Sequence, residues 1–138
     1  MPKNILVTGA AGFIGAAISN RLIKRGENVI GIDNINEYYD VNLKKKRIKN
    51  IKNSALKSKS RWNFFNFSIE DKNKLIDISD SFPPDIVINL AAQAGVRYSI
   101  DNPQQYLNTN LVGFGNILEI CRKYCVKNFI YASSSSVY

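Results

Sequence analysis

Apolar residues come in short runs separated by longer polar stretches. Asn4–Thr8 (Asn-Ile-Leu-Val-Thr) and Asn28–Ile32 (Asn-Val-Ile-Gly-Ile) predict two strands. Trp62–Phe67, rich in aromatics, predicts a third. Asp85–Leu90 holds Ile86-Val-Ile, a run suited to a strand buried on both faces, and Lys127–Ala132 predicts a fifth strand. Helical spacing fills the intervals. Phe13–Arg25 predicts a helix closed by Gly26. Asn42–Ile51 predicts a polar helix whose sparse apolar side is Leu43, Ile48 and Ile51. Asp71–Ser81 predicts a helix that stops before Pro83-Pro84. A long helix starts at Pro103 and runs to about Tyr124. There Leu107, Leu111, Phe114, Leu118, Cys121 and Cys125 recur at three- and four-residue steps as an apolar stripe. Strand–helix alternation predicts one α/β domain over residues 1–138, a doubly wound parallel sheet. Right-handed crossovers give strand order 3-2-1-4-5, with a ligand above the carboxyl ends near strands one and four.

The first turn carries the most specific chemistry. Strand one runs into Gly9-Ala-Ala-Gly12-Phe-Ile-Gly15, a helix follows, and the second strand ends on Asp33, 18 residues after Gly15. A strand, a glycine-rich turn, a helix and an acid at that interval form a dinucleotide-binding unit. Gly9 permits the tight turn, and Gly12 leaves room for a pyrophosphate beside the backbone. Gly15 allows helix and strand to pack closely. Phe13 and Ile14 open the helix, where free N–H groups and the positive dipole end face phosphates. Asp33 can accept hydrogen bonds from both adenine-ribose hydroxyls and would repel a 2′-phosphate. No Arg follows among Asn34, Ile35 and Asn36, which favours NAD over NADP.

Composition narrows the rest. The apolar fraction of 45% is that of a globular protein, and no run approaches a membrane span. No basic-then-apolar leader precedes the first strand, so a cytoplasmic protein is expected. There is no histidine, and two cysteines four apart cannot hold a metal alone. Cys121 and Cys125 are expected to be two buried thiols in a reducing compartment. The net charge of +8 is concentrated. From Val41 to Ile69 there are nine bases and no acid, while the remainder is nearly neutral. Base-reading aromatics are not interleaved with these charges, so a solvated helix and loop is expected rather than a nucleic-acid surface.

Three further segments fall at strand carboxyl ends: Asn89-Leu-Ala-Ala-Gln-Ala-Gly-Val-Arg-Tyr-Ser99, Asn108-Thr-Asn-Leu-Val-Gly113 and Tyr131-Ala-Ser-Ser-Ser-Ser-Val-Tyr138. With Gly9–Gly15, they resemble the extended branch of the short-chain dehydrogenase/reductase superfamily, the NAD-dependent epimerase/dehydratase family. Ala-Ala-Gln-Ala-Gly-Val-Arg-Tyr-Ser is most similar to UDP-glucuronate 4-epimerases. The resemblance implies a Rossmann-like domain, a UDP-sugar substrate and reversible inversion at C4 through hydride exchange with bound NAD. It implies that Phe13 and Ile14 present N–H groups to the pyrophosphate, and that Asp33 and Asn34 hold the adenine ribose. Leu90, Ala91 and Ala92 would floor the cofactor site, with Asn110 facing the cofactor from the opposite side. Ser133 would lie beside the cofactor. Ser134, four before the tyrosine, matches the catalytic Ser/Thr, and Ser135 and Ser136 would lie beside the sugar.

The sequence departs from the family at several points. An acid near the end of strand three usually reaches the adenine amino group; here Ser68 stands there, and Ile69 can still offer its backbone. Many relatives have His where Asn89 precedes Leu-Ala-Ala. Family chemistry also needs a Tyr with Lys four residues later, and no tyrosine from Tyr38 to Tyr131 has one. The chain is therefore expected to be the amino-terminal part of an epimerase, truncated at the catalytic serine loop and inactive alone. A vestigial NAD-binding module, or a dehydratase or reductase of the same branch, would share these features. Relatives pair as homodimers through a helix bundle, which the missing helix would weaken.

Overall fold

The computed structural model describes residues 1–137; Tyr138 and the side chain of Ser135 lie outside the described residues. Five strands form one parallel sheet: β1 (Asn4–Thr8), β2 (Asn28–Asp33), β3 (Trp62–Asn66), β4 (Ile86–Asn89) and β5 (Asn128–Tyr131). Their order is β3-β2-β1-β4-β5, as the alternation predicts. β1 is central, with Leu6 beside Ile30 of β2 and Val87 of β4.

Side chains alternate across the sheet, so each strand feeds two cores. Ile5, Val7, Val29 and Ile88 pack with Ile23 of α1 (Phe13–Lys24) and with Ile51 and Ala55 of α2 (Val41–Ser58). Leu6, Ile30, Ile32 and Val87 face the other way. They meet Leu75 of α3 (Lys72–Ser81) and Ile117 and Ile120 of α6 (Phe114–Lys123). Burying each such side chain contributes about 1.5–3 kcal/mol. Helices thus cover both faces, and the ligand edge is left to the loops at the strand carboxyl ends. Among the described residues no helix is long and apolar enough to cross a membrane.

α2 is longer than its pattern predicts. The Asp40 carboxylate accepts from Asn42 N at 2.8 Å and caps it, and Lys59 closes it in the left-handed region at φ 55°. Its inner face is the predicted one only in part: Ile51 is buried and Ile48 half-buried as expected, but Leu43 is 41% exposed and Lys44 is buried with Ile51 and Ala55. The solvated-helix expectation therefore fails at Lys44. Asn36, in the loop after β2, supplies two oxygens that make burial of an ammonium more tolerable.

The long helix runs from Pro103 to Lys123 as expected, but its buried face is corrected. A short helix, α4 (Val96–Asp101), precedes it; then come α5 (Pro103–Leu107), a π-helical stretch (Asn108–Gly113) and α6. A π turn adds a residue per turn and rotates the faces on either side. Thr109, Gly113, Ile117 and Ile120 form the buried side, while Leu107, Leu111 and Leu118 of the predicted stripe are exposed. Gly113 is required there, because a Cβ would stand 2.6 Å from Ile69 Cγ1.

The pair of buried thiols is likewise corrected. Cys121 is half-buried and Cys125 is exposed. Cys125 follows the helix cap at φ 50°, with its N–H donated to Arg122 O and the Val126 N–H to Cys121 O. This is a Schellman closure.

Candidate functional site

The glycine turn sits where β1 meets α1. Gly9 has φ 67°, and a Cβ on it would stand 2.8 Å from the Leu90 carbonyl carbon. The turn therefore touches the end of β4 backbone to backbone. A Cβ on Gly15 would collide with the Gly9 carbonyl oxygen, so this glycine serves the turn itself more than strand packing. Gly12 caps α1 without a side chain, and a Cβ there would meet Gly9 O at 3.0 Å. The first-turn N–H groups of Phe13 and Ile14 thus carry no side-chain cap, and both residues are exposed. A helix start of this form is an anion site when a second group aligns the ligand.

Asp33 stands beside this turn. It is 8% exposed, its Oδ2 accepts from Ala11 N at 3.0 Å, and its Oδ1 accepts from Ile35 N at 2.8 Å. The first bond ties the carboxylate to the glycine turn across 22 positions. The second draws Ile35 into the left-handed region at φ 48°, unusual for a β-branched residue. Strain of this kind clusters where structure is held for a ligand.

A cleft of about 230 Å³ opens over the strand ends. It is lined by Gly9, Gly12, Asp33, Asn34, Ser68, Ile69, Leu90, Ala91 and Ala92, all named by the sequence, and by Tyr38, Tyr39, Lys44, Gln93 and Thr109, which were not. Beneath it, Thr8 Oγ1 donates to Asn89 Oδ1 at 2.6 Å and accepts from Ala91 N at 3.1 Å. Asn89 thus takes part as a buried acceptor. Ser68 Oγ accepts from Glu70 N at 3.3 Å, leaving its own proton free to donate.

Asn110, expected to face the cofactor, reaches the loop after β4. Its Oδ1 accepts from Gln93 N and its Nδ2 donates to Gln93 O, each at 2.9 Å. The amide is spent on the β4 loop, so Asn110 positions that wall. Glu70 ties the opposite wall: its Oε1 accepts from Thr109 Oγ1 at 2.7 Å, and Asn116 Nδ2 donates to Ile69 O and Glu70 O. Ser133 and Ser134 lie exposed after β5, outside the cleft lining, and Ser134 Oγ accepts from Ser136 N at 3.1 Å. The Ser135 side-chain expectation falls outside the described residues.

Two members of the basic segment reach this site. Lys44 Nζ donates to Asn36 O and Asn36 Oδ1, both at 2.8 Å, and lies 4.3 Å from the centre of the Tyr39 ring. Burial pushes its ammonium below the usual lysine value; Asp33 opposes that shift and Arg47 adds to it. Arg47 donates to Ala11 O at 3.2 Å and Tyr39 Oη at 3.0 Å, with its guanidinium 5.9 Å from the Phe13 ring centre. Their spacing, three apart in an acid-free stretch after the ribose acid, was the available signal. A glycine crevice, uncapped N–H groups and a buried carboxylate together fit an adenine dinucleotide. Among the described residues no cluster of three His, Cys, Asp or Glu could hold a metal.

Comparison with known proteins agrees with this geometry. A family model described as GDP-mannose 4,6 dehydratase matches residues 6–138. Protein CapI of Staphylococcus aureus is 50% identical over 134 residues, covering 97% of this chain and 38% of its own. UDP-glucuronate 4-epimerase 2 of Arabidopsis thaliana is 43% identical, covering 98% of this chain and 30% of its own. The Thermus thermophilus UDP-glucose 4-epimerase, solved in complex with NAD, superposes with a TM-score of 0.75 at 34% identity, covering 95% of this chain and 37% of that one. The chain thus spans well under half the length of the proteins it matches.

Proposed function

We propose, for a chain that belongs to the GDP-mannose 4,6 dehydratase family, that it is the NAD-holding part of a nucleotide-sugar 4-epimerase acting on a UDP-glucuronate or UDP-hexose substrate. The observation that carries the cofactor half is the bond from Ala11 N to Asp33 Oδ2, which fixes a ribose-reading carboxylate against the glycine turn. The sugar half is supported by likeness to proteins named UDP-glucuronate and UDP-glucose 4-epimerases.

In this reading, Phe13 and Ile14 bind the pyrophosphate through their N–H groups. Asp33 and Asn34 hold the adenine ribose, and Ser68 and Ile69 meet the adenine. Leu90, Ala91 and Ala92, kept in line by Thr8, give a small-residue floor that admits a flat ring. Bound NAD would supply reversible hydride acceptance. Ser134 would donate a hydrogen bond that orients the sugar 4-hydroxyl, and Ser133 would stand beside the cofactor. A neutral serine hydroxyl is a poor base and is far from ionising at neutral pH, so a stronger base is required. No tyrosine from Tyr38 to Tyr131 has a lysine four positions on, so that base is expected outside this stretch. The family description names a dehydratase, and that reading shares the whole cofactor half; the sugar product separates the two.

The test has two arms. Calorimetry should show saturable NAD binding. The gene product extended to about the length of its relatives should interconvert UDP-glucuronate and UDP-galacturonate, while residues 1–138 alone should not. In the extended form, Ser134→Ala should lower kcat more than it raises KM. Turnover by the short chain, abolished by Ser134→Ala, would sink this account of the base.

A further inference from the structure

Lys44 is a buried cation with an unfinished set of partners. It is 4% exposed and lines the same cleft as Asp33. An ammonium carries three N–H donors. Two go to the oxygens of Asn36 and the Tyr39 ring centre lies 4.3 Å away, but among the described residues no oxygen accepts the third. Asp33 is complementary. Each of its carboxylate oxygens receives one backbone N–H, from Ala11 and Ile35, and each keeps acceptor capacity. The two charges act on each other electrostatically, yet no direct ion pair joins them among the described residues. A carboxylate and an ammonium sharing a cleft without touching leave a gap for a group that both donates and accepts. A hydroxyl is such a group.

The gap is built rather than incidental. Asp33 Oδ1 holds Ile35 N, and the left-handed turn at Ile35 brings Asn36 round to Lys44. Lys44 is therefore locked to the same loop that its partner shapes. Burying an ammonium this deeply is costly unless it is paired. Two neutral oxygens offset that cost only in part.

We propose that Lys44 is the second half of the ribose reader. Asp33 accepts the hydroxyl protons of a vicinal diol, and Lys44 donates to a hydroxyl oxygen of the same diol. The inference rests on the cofactor reading above and adds a consequence to it. Rejection of a 2′-phosphate depends on Asp33 alone, because the neighbouring ammonium attracts phosphate. With the Asp33 charge removed, Lys44 becomes the group that receives the 2′-phosphate of NADP.

Calorimetry on the intact protein tests this with NAD, NADP and 2′,3′-dideoxyadenosine diphosphate, alongside thermal melting of each variant. Lys44→Gln should weaken NAD about tenfold, the size of one lost charge-assisted hydrogen bond, and leave the dideoxy ligand within about twofold, a difference too small for such a bond. Asp33→Asn should bind NADP at least about tenfold more tightly than the unaltered protein does, and adding Lys44→Gln should cancel that gain. Equal weakening of NAD and the dideoxy ligand by Lys44→Gln would show a structural role only and overturn the proposal. So would a double variant that keeps its NADP gain. Should Lys44→Gln lose its cooperative melt, the Asp33→Asn arm decides: no NADP gain there also overturns the proposal. Failure of the unaltered protein to bind NAD would instead overturn the cofactor reading.

Discussion

Thr8 and Asn89 face each other across the central strand pair, with Thr8 Oγ1 donating to Asn89 Oδ1 at 2.6 Å in a fully buried position. The same hydroxyl accepts from Ala91 N at 3.1 Å. Thr8→Val keeps the shape and removes both bonds, together with a third that this hydroxyl accepts from Leu90 N at 3.2 Å. It leaves a buried amide oxygen and a backbone N–H without partners, at a cost of about 1–3 kcal/mol. Urea unfolding should show that loss, and Thr8→Ser should recover most of it. A Val variant as stable as the unaltered protein would mean that the floor beneath the cleft does not depend on this hydroxyl.

Two glycines in helices should respond oppositely to a methyl group. At Gly15 a Cβ meets the Gly9 carbonyl oxygen inside the turn; at Gly115 it meets nothing within 4 Å. Gly15→Ala should destabilise by about 1–3 kcal/mol or more and abolish NAD binding. Gly115→Ala should stabilise by roughly 0.5–1 kcal/mol through helix propensity. Thermal melts of the two variants, with NAD titrations on the folded ones, provide the check.

The thiols should separate by position. Burial pushes the Cys121 thiol up to about 11, whereas Cys125 is exposed after the helix end. A thiol reagent at neutral pH should label Cys125 first and Cys121 only slowly. The sign of the pH effect on folding follows. The folded chain keeps the Cys121 proton over the range where an unfolded thiol loses it. This contribution is therefore full below about pH 9 and falls away as pH rises toward 11. Denaturant midpoints should drift down over that window, and Cys121→Ala should flatten the drift. Separately, Cys125→Gly should add about 0.5–1 kcal/mol, because glycine adopts the left-handed cap without strain.

Association is expected from the exposed apolar side of the long helical segment. Leu107, Leu111 and Leu118 are 50%, 67% and 45% exposed, and Ile130 on the edge strand β5 is 54% exposed. Such a face and an unpaired edge recruit other chains. Residues 1–138 alone should sediment as weak, concentration-dependent oligomers. The pair Leu107→Glu and Leu111→Glu should raise the monomer fraction without lowering the melting temperature. A sharply melting monomer before any substitution would show that this face needs no cover.

Strand periodicity, the glycine turn and the position of Asp33 are local properties of the chain. They were legible because a parallel sheet needs unbroken apolar runs and a phosphate turn needs glycines at fixed intervals. Strand order 3-2-1-4-5 followed from crossover handedness, and the structure has it. The inner face of α2 was legible at Ile51 but not at Lys44, since burial there depends on what stands opposite. Lys44 is buried because the loop after β2 turns Asn36 toward it, and hydropathy ranks lysine as a surface residue. The face of the long helix was misread for a related reason. A π turn at Asn108–Gly113 leaves no mark on a 3.6-residue period, yet it shifts burial from Leu111 to Gly113 and Ile117. Asn110 holds Gln93, and Glu70 holds Thr109, through contacts 17 and 39 positions apart. Hydrogen bonds at such separations are set by how elements pack, so sequence alone named the residues of the cleft floor while tertiary structure decided which side chains hold its walls in place.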